Sequence, residues 1–462
     1  MLAATAAVAF LVLASPPVGL ADNGDSPKMI ARFALTAEPA AANDAPAYLV
    51  LKYVRDPKVW WVSDNYSTEI PLVATALAIS DLAGAREFDI RILGAIHGTL
   101  FLLGFGGLLL VLRVFPVRAM VLIACVAFFL LGDACYLVYC NTFYTDASAL
   151  AFVFPSLVLA VAIALSDRPG PLLLAGFAVC SCLFIFSKGQ HALPAVLLAG
   201  FLVVAGRSRW LLSLALSIAM LAASYFSFVL APPQERPQYL FTLIFYKLAP
   251  DASTAPAVLA GLGLGPEYAK YAGLFTYAPN SPMNDPAFAE EFGRKASTLR
   301  VARYYLHHPG EALRLLQYDL HYWAREMRSD SLGNYPKSAG KPPLARSMAL
   351  GWWSWLRSGL FANAEFYAVA WYLFVFGAGA TTIYRRGSML AVLWVAVAGM
   401  GVAEFLITSL ADAGETARHL LLFHYLTDFT VVLFVLLLER HYKEWRPQGD
   451  SNPCYRRERA VS

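Results

Sequence analysis

Long apolar stretches alternate with short polar connections along most of the chain. About 20 apolar residues cross a bilayer as a helix, because a helix pairs its own backbone groups where no water is available. The pattern therefore predicts about ten membrane-spanning helices. They lie near residues 2–20, 92–112, 119–140, 148–165, 171–187, 192–205, 211–231, 366–384, 389–410 and 420–438. The fourth to sixth stretches are short, so a tilted or re-entrant arrangement of 171–205 is an alternative.

The composition of the chain agrees with this pattern. Of the 462 residues, 58% are hydrophobic and 15% are charged, whereas soluble proteins carry about 25% charged residues. The predicted fold class is an all-α polytopic membrane protein, and the lipid bilayer is its first partner. The net charge of +4 is small and dispersed, so we expect no nucleic-acid partner.

The arginine and lysine positions predict the orientation. Cytoplasmic connections carry an excess of these residues, and alternate short connections do so here, from Arg113 and Arg118 to the basic tail. We therefore expect a multi-pass protein of the inner (cytoplasmic) membrane, with both termini cytoplasmic and two large helical loops facing outward. The first stretch lacks a basic segment before it, which favours a retained span over a cleaved signal peptide.

The same pattern divides the chain into six units. They are a first transmembrane helix (1–20), a first outward loop with an acidic pair (21–91), a transmembrane bundle (92–231), a large outward loop with an interfacial helix (232–365), the last three transmembrane helices (366–438) and a basic cytoplasmic tail (439–462). Within the loops we expect helices near 68–83, 286–307 and 310–328. Trp352, Trp353 and Trp355 predict an amphipathic helix at the membrane interface, with an ordinary aromatic belt as the alternative.

Polar residues gather at the predicted outward ends of the spans. They come from four distant parts of the sequence, so we expect four helix ends to meet at one membrane level. The residues are Asp22 and Asp25 after the first span, Tyr144 and Asp146 before the fourth, Lys188, Gln190 and His191 after the fifth, and Asp412, Glu415, Arg418 and His419 before the last.

Each group has a chemical and a structural interpretation. Asp22 and Asp25 can act as a general base or ligate a metal, and a solvated helix cap is the alternative. Lys188 can meet a phosphate at headgroup depth, or simply extend toward the interface. Arg418 and His419 offer a second cationic point, or pair with the neighbouring acids.

Other polar residues have weaker claims on function. Tyr144 and Asp146 can hydrogen-bond sugar hydroxyls, although capping of the next helix is the better interpretation of either residue alone. Asp133, Glu404 and Asp428 lie inside the apolar stretches, where a transporter would use acids as a proton relay. No arginine or lysine in these stretches matches them, so we expect them to form helix–helix hydrogen bonds.

The order of these features resembles the GT-C superfamily of integral-membrane glycosyltransferases, which has an opening span, an outward loop beginning with acids, and short-looped spans. Short phrases further look like bacterial glycan-biosynthesis hexose transferases of the WsfD type. The phrases are Asn23-Gly-Asp-Ser-Pro-Lys-Met29, Asn141-Thr-Phe-Tyr144, Lys188-Gly-Gln190, Tyr305-Leu-His-His-Pro309, Leu332-Gly-Asn-Tyr335 and the segment from Glu415 to Asp428.

The resemblance implies an inverting enzyme that moves a hexose from a polyprenyl-phosphate-linked donor to a glycan, lipid or protein acceptor at the outer face. An acid of the first loop would be the general base, which falls to Asp25, with Asp22 second. Asp146 approximately matches an acidic position that members often carry in the Asn-x-Phe-Tyr loop. The candidate residues for the donor phosphate and substrate are Lys188, Gln190, His191, Arg418, His419, Tyr144, Asp146 and Glu415.

A divalent metal, Mg²⁺ or Mn²⁺, is used by some members of the superfamily and not by others. Asp22, Asp25, Asp146 and Glu415 are the residues that would supply its ligands here.

Two other functions compete with sugar transfer. A secondary transporter or lipid flippase predicts internal repeats and broken helices at the bilayer midplane, and no clear repeat is present. A polysaccharide polymerase or ligase would use the loop at 232–347. Its candidate site residues are Arg303, His307, His308 and Arg325.

Overall fold

The structure of this chain is a computed structural model. It describes residues 1–14, 16–20, 26–41, 44, 47–55, 66–230, 236–327, 334–360, 363–412 and 414–450.

Helices account for most of the described residues. The helices are α1 (Leu2–Val12), α2 (Ser26–Arg32), α3 (Glu69–Leu82), α4 (Ile90–Val111), α5 (Val117–Leu131), α6 (Ala134–Leu137), α7 (Thr145–Leu165), α8 (Pro171–Ile185), α9 (Val196–Ala205), α10 (Trp210–Val229), α11 (Arg236–Phe241), α12 (Ala255–Gly261), α13 (Pro286–Lys295), α14 (Thr298–His307), α15 (Pro309–Tyr322), α16 (Trp352–Leu360), α17 (Ala364–Arg386), α18 (Met389–Ala411), α19 (Thr416–His419) and α20 (Leu421–Asp450). The prediction of a helical polytopic membrane protein is confirmed.

The count of ten spans is not confirmed. Within the described ranges, six helices are long and apolar enough to cross a membrane, and a seventh span is possible if α5 and the segment Ala134–Asn141, bent by 55°, form one. The predicted first span is an 11-residue helix that ends at Val12, and α8 and α9 are also short. Between α8 and α9, as expected for a connection, the chain leaves the span and forms a short 3₁₀-helix, Gly189–Ala192, directly after Lys188.

The bundle packs around α7 and α20, which are the most buried of the candidate spans. α7 contacts α4, α8 and α18, while α20 contacts α18 and α5. Small polar side chains join the helices at close approaches, because a hydroxyl inside an apolar bundle needs a partner. Ser156 of α7 lies 2.7 Å from Ser181 of α8 through their Oγ atoms, and Thr430 Oγ1 of α20 accepts from Trp371 Nε1 of α17 over 2.8 Å.

The first loop is not purely helical, which corrects the prediction for this unit. Three short strands, β1 (Leu35–Ala37), β2 (Lys52–Arg55) and β3 (Phe88–Asp89), form an antiparallel sheet in the order β1-β2-β3. The stretch Lys-Tyr-Val-Arg alternates in burial, as a half-buried strand requires. Helix α3 agrees with the helix expected near 68–83. The three strands and α3 share a hydrophobic core with Phe143. Through this core the first loop packs against the bundle.

The large loop builds a helical subdomain with its own hydrophobic core. The expected run 286–307 is divided into α13 and α14, because Ser297 caps α14 through a hydrogen bond from the Arg300 amide. The expected run 310–328 is α15, which opens on Pro309 and ends at Tyr322. A core of buried residues from 240 to 315 holds these helices together.

Helix α16 carries the three tryptophans, and two of them belong to the bundle rather than to an interface. Asp133 Oδ2 accepts hydrogen bonds from the Trp353 and Ser354 amides, so an acid of the membrane helices caps α16. Trp352 Nε1 donates to the Phe129 carbonyl. Trp355, at 69% exposure, faces outward.

The expectation that no arginine matches the intramembrane acids is wrong. Arg357 of α16 is 1% exposed, and its Nη1 donates to Asp428 Oδ1 over 3.1 Å while Nη2 donates to His424 Nδ1 over 2.8 Å. Asp428 Oδ2 also accepts from Tyr136 Oη and Trp353 Nε1. Although α16 lies outside the apolar stretches of the sequence, the helix directs this side chain into the bundle.

Replacing Arg357 with methionine (Arg357→Met) should destabilise the protein, because the Asp428 carboxylate would stay buried without its cation. We expect the free energy of unfolding to fall by about 3–5 kcal/mol, measured as a lower Tm in detergent. Arg357→Met/Asp428→Asn should recover part of the loss, since the amide is neutral and still accepts from Tyr136. Arg294→Met, which removes an exposed pair with Glu290, is the control, and an equal loss there would contradict the prediction.

Candidate functional site

Three predicted site residues from distant parts of the chain meet in one ionic cluster. Asp146 lies in the first turn of α7, Lys188 follows α8, and Arg418 lies in α19. Arg418 Nη1 donates to Asp146 Oδ2 over 2.7 Å, and Lys188 Nζ lies 3.4 Å from Asp146 Oδ1. We call this end of the bundle, where α7 begins and α8 and α18 end, the polar end.

The positive charge of Arg418 is shared between two carboxylates. Besides Asp146, the guanidinium binds Glu415 Oε2 through Nη2 at 2.7 Å and Nε at 3.0 Å, and it lies over the Tyr144 ring at 4.9 Å. Glu415 has a left-handed backbone with φ 48° and ψ 43°. Such a conformation costs a non-glycine residue about 1–3 kcal/mol and is found preferentially at functional sites.

A second group of polar residues lies beside this cluster and involves Glu404, an acid of α18. His191 Nδ1 donates to Glu404 Oε1 over 2.7 Å, and Gln190 Nε2 donates to Glu404 Oε2 over 2.8 Å. Gln190 Nε2 also lies 3.1 Å from Thr408 Oγ1 and 3.3 Å from the His419 carbonyl oxygen. The Lys188–His191 turn is therefore tied both to α18 and to the turn that carries Arg418.

The other nitrogen of the His191 ring is not used in this network. His191 is 2% exposed, and its Nε2 has no hydrogen-bond partner among the described residues. The ring stacks on Phe184 with centroids 5.0 Å apart. A buried polar atom of this kind is available to a ligand.

Asp412, just after α18, pairs with His419 and accepts a hydrogen bond from the Gly414 amide over 3.2 Å. Burial alone would raise the pKa of the Asp412 carboxyl, but the charge and hydrogen bond of His419, together with Lys188 and the Gly414 amide, lower that pKa to about 2. Asp412 is therefore an anion at neutral pH and adds another acid to the polar end.

The large loop reaches the same place through Lys247. This residue lies in a π-helical turn, Thr242–Leu248, and its Nζ donates to Asp319 Oδ2 over 2.7 Å and to the Asp412 carbonyl over 3.2 Å. Burial raises the pKa of Asp319, against the opposing effect of Lys247. Tyr305 Oη also donates to the Leu410 carbonyl. The subdomain is thus fastened to the loop after α18.

The two first-choice catalytic residues, Asp22 and Asp25, lie outside the described residues. The described segments on either side of them do contact the bundle near the polar end. Asn141 Nδ2 donates to the Val18 carbonyl over 2.9 Å, and Met29 shares a hydrophobic cluster with Phe143.

The described members of the expected metal ligand set do not fit a divalent ion. The Arg418 guanidinium occupies the space between the Asp146 and Glu415 carboxylates, where a metal would have to lie. Among the described residues no group of three or more His, Cys, Asp or Glu side chains is placed to hold a metal ion.

Two further residues, Glu404 and Lys247, contribute to this end of the bundle although they were not among the predicted site residues. We expected Glu404 to form helix–helix hydrogen bonds, although Glu404 and Thr408 are four residues apart and so lie on one face of α18, eight and four residues before the polar residue Asp412. That spacing was a usable signal. No sequence signal indicated Lys247, because its partners Asp319 and Asp412 are distant from it in the sequence.

Fold and site together define a multi-pass helical membrane protein with a buried ionic network at one end of its bundle. Residues 1–453 match the family model described as the YfdI N-terminal transmembrane domain, and the chain belongs to that family. No curated protein and no solved structure matches the chain significantly.

Asp412→Asn should lower stability in a pH-dependent way. The pKa of Asp412 is lower in the folded protein than in the unfolded chain, so its contribution is present above the unfolded value of about 3.9 and is lost as pH falls toward about 2. We expect the variant to melt below the wild type at pH 6, with a difference that shrinks below pH 4. A Tm difference that stays constant from pH 6 to pH 3 would contradict this assignment.

Proposed function

We propose that this protein is a membrane glycosyltransferase. It moves a hexose from a polyprenyl-phosphate-linked donor to a glycan, lipid or protein acceptor at the outer face of the cytoplasmic membrane, with a first-loop aspartate as general base. The observation that carries this proposal is the ionic network at the polar end, where Lys188 and Arg418 meet Asp146. Charges at the ends of membrane helices are costly to bury, so their concentration at one end favours a functional role.

Lys188 is the best candidate for the donor phosphate. Among the described residues, Arg418 already has two carboxylate partners at 2.7 Å, whereas the Lys188 ammonium has a single 3.4 Å contact with Asp146 and its side chain is 19% exposed. An ammonium has three donors on a flexible stem. It can therefore turn to a phosphate without leaving a buried carboxylate unpaired, because Arg418 stays on Asp146.

The proposed base comes from the chain segment between Val18 and Met29. The Val18 carbonyl accepts a hydrogen bond from Asn141, and Met29 belongs to the same hydrophobic cluster as Phe143, directly before Tyr144 and Asp146. This packing supports an assignment in which Asp25, or else Asp22, acts next to the cations.

The proposed reaction is a single inverting displacement. The acceptor hydroxyl forms the new bond to the anomeric carbon, its proton passes to the Asp25 carboxylate, and the bond from that carbon to the phosphate oxygen breaks with its electron pair on the departing polyprenyl phosphate. Lys188 stabilises the charge that builds on that oxygen. A lipid-linked donor suits an outward site, since nucleotide sugars are cytoplasmic.

The rival functions have less support from the contacts. Arg303, His307, His308 and Arg325, the candidates for a ligase site, are exposed on α14 and just after α15. The described contacts of these residues stay within the subdomain, such as His308 stacking on Tyr304. The intramembrane acids of the transporter hypothesis each hold fixed hydrogen-bond partners.

Asp25→Asn tests the base directly. We expect sugar transfer to fall by about 10²–10⁴-fold, because the amide cannot take the hydroxyl proton. The measurement is transfer of labelled hexose in membranes supplied with a polyprenyl-phosphate hexose, at matched protein level. Asp81→Asn, a change of an exposed first-loop acid, is the control. Normal turnover by Asp25→Asn would remove the assignment, and a loss confined to Arg303 or His308 variants would favour the ligase.

Lys188→Ala tests the phosphate contact. We expect the Kd for polyprenyl phosphate, measured on purified protein in detergent, to rise about tenfold or more, while Tm changes little because Asp146 keeps Arg418. Lys188→Arg should retain most of the affinity. Wild-type affinity in Lys188→Ala would show that the phosphate binds elsewhere.

A further inference from the structure

We infer that Glu404 is a positioning residue for the donor phosphate, acting through Gln190 and His191 to hold both cationic turns of the site. The inference rests on the proposed function and assigns this membrane-helix acid a role beyond joining helices. Glu404 itself need not touch the donor.

Glu404 is a fully buried acid. It lies inside α18 at 0% exposure, where an ionised carboxylate is costly unless its partners satisfy it. An apolar residue would pack into this span at lower cost. Glu404 therefore costs free energy at a position where the packing of the helix does not require an acid.

The hydrogen-bond partners of Glu404 both come from one turn of the chain. Both oxygens of Glu404 are directed to the turn directly after Lys188, one to Gln190 Nε2 at 2.8 Å and one to His191 Nδ1 at 2.7 Å. Two neighbouring residues held by the two oxygens of one carboxylate fix the turn in rotation as well as in distance. The direction of the Lys188 side chain follows from that turn.

Glu404 is also linked to the turn that carries the other cation, Arg418. Gln190 Nε2, held by Glu404, also lies 3.3 Å from the His419 carbonyl oxygen, and Thr408 Oγ1 donates to the same oxygen over 3.2 Å. His419 follows Arg418 in α19. One carboxylate therefore sets the position of Lys188 and of Arg418 relative to each other, and Asp146 lies between the two.

The other membrane-helix acids show that burial alone does not produce this arrangement. Asp428 is equally enclosed, at 1% exposure, but its hydrogen bonds go to Tyr136, Trp353 and Arg357. Those contacts hold α16 against the bundle. Asp428 is therefore a matched control, an acid with a structural task and without a described hydrogen bond to the cationic turns.

The test compares polyprenyl phosphate binding and Tm on the same purified samples. Glu404→Leu fills the space with an apolar side chain, so we expect the protein to fold while the Kd rises about tenfold or more, since shell residues that orient a site typically contribute about 10–100-fold. Glu404→Gln still accepts from Gln190 and can donate to His191, so its Kd should stay within about threefold of the wild type. Asp428→Asn should lower Tm and leave the Kd unchanged.

The outcomes separate this inference from the proposed function. Wild-type affinity in folded Glu404→Leu, with Lys188→Ala impaired, would overturn the positioning role and leave the phosphate site intact. Wild-type affinity in Lys188→Ala would instead overturn the phosphate assignment of the proposed function. Should Glu404→Leu not fold, Gln190→Leu cuts the link to the His419 carbonyl while Glu404 keeps His191, and an unchanged Kd there would equally overturn the inference.

Discussion

The carboxylate of Asp146 is shared between Arg418 and Lys188, and this sharing joins three helix ends that are far apart in the sequence. A carboxylate at 6% exposure has to be paired, because an isolated ion in a low-dielectric setting is strongly disfavoured. The start of α7, the end of α8 and the short helix α19 are therefore held together. The turns next to these helix ends are positioned by the same ion pairs.

The helical membrane fold was accessible from the sequence, whereas the number of spans was not. Hydropathy measures how apolar a stretch is, but it does not show where a helix stops. A polar residue inside an apolar stretch can interrupt a helix, as at Asp133, whose side chain caps the segment after the break. The ten predicted spans thus became six or seven long helices and several short ones.

The grouping of polar residues at helix ends was also predictable, since alternate connections lie on the same side of a bundle. The partners of the acids inside the apolar stretches were not predictable. Asp133, Glu404 and Asp428 looked alike in the sequence, as single acids in apolar stretches. In the structure one caps α16, one holds the turn after Lys188, and one binds Arg357. The role of a buried acid is determined by the hydrogen-bond donor that it contacts, and that donor comes from an element that is remote in the sequence.

Charge balance explains why the two cations of the site are unequal. Asp146, Glu415 and Asp412 bring three carboxylates to the polar end, so an arriving phosphate meets repulsion unless a cation can leave its acid at little cost. Arg418 cannot, because two acids depend on its guanidinium. Lys188 can, because Asp146 keeps a 2.7 Å partner when the 3.4 Å contact is given up. The arginine therefore maintains the site, and the lysine is left to respond to the ligand.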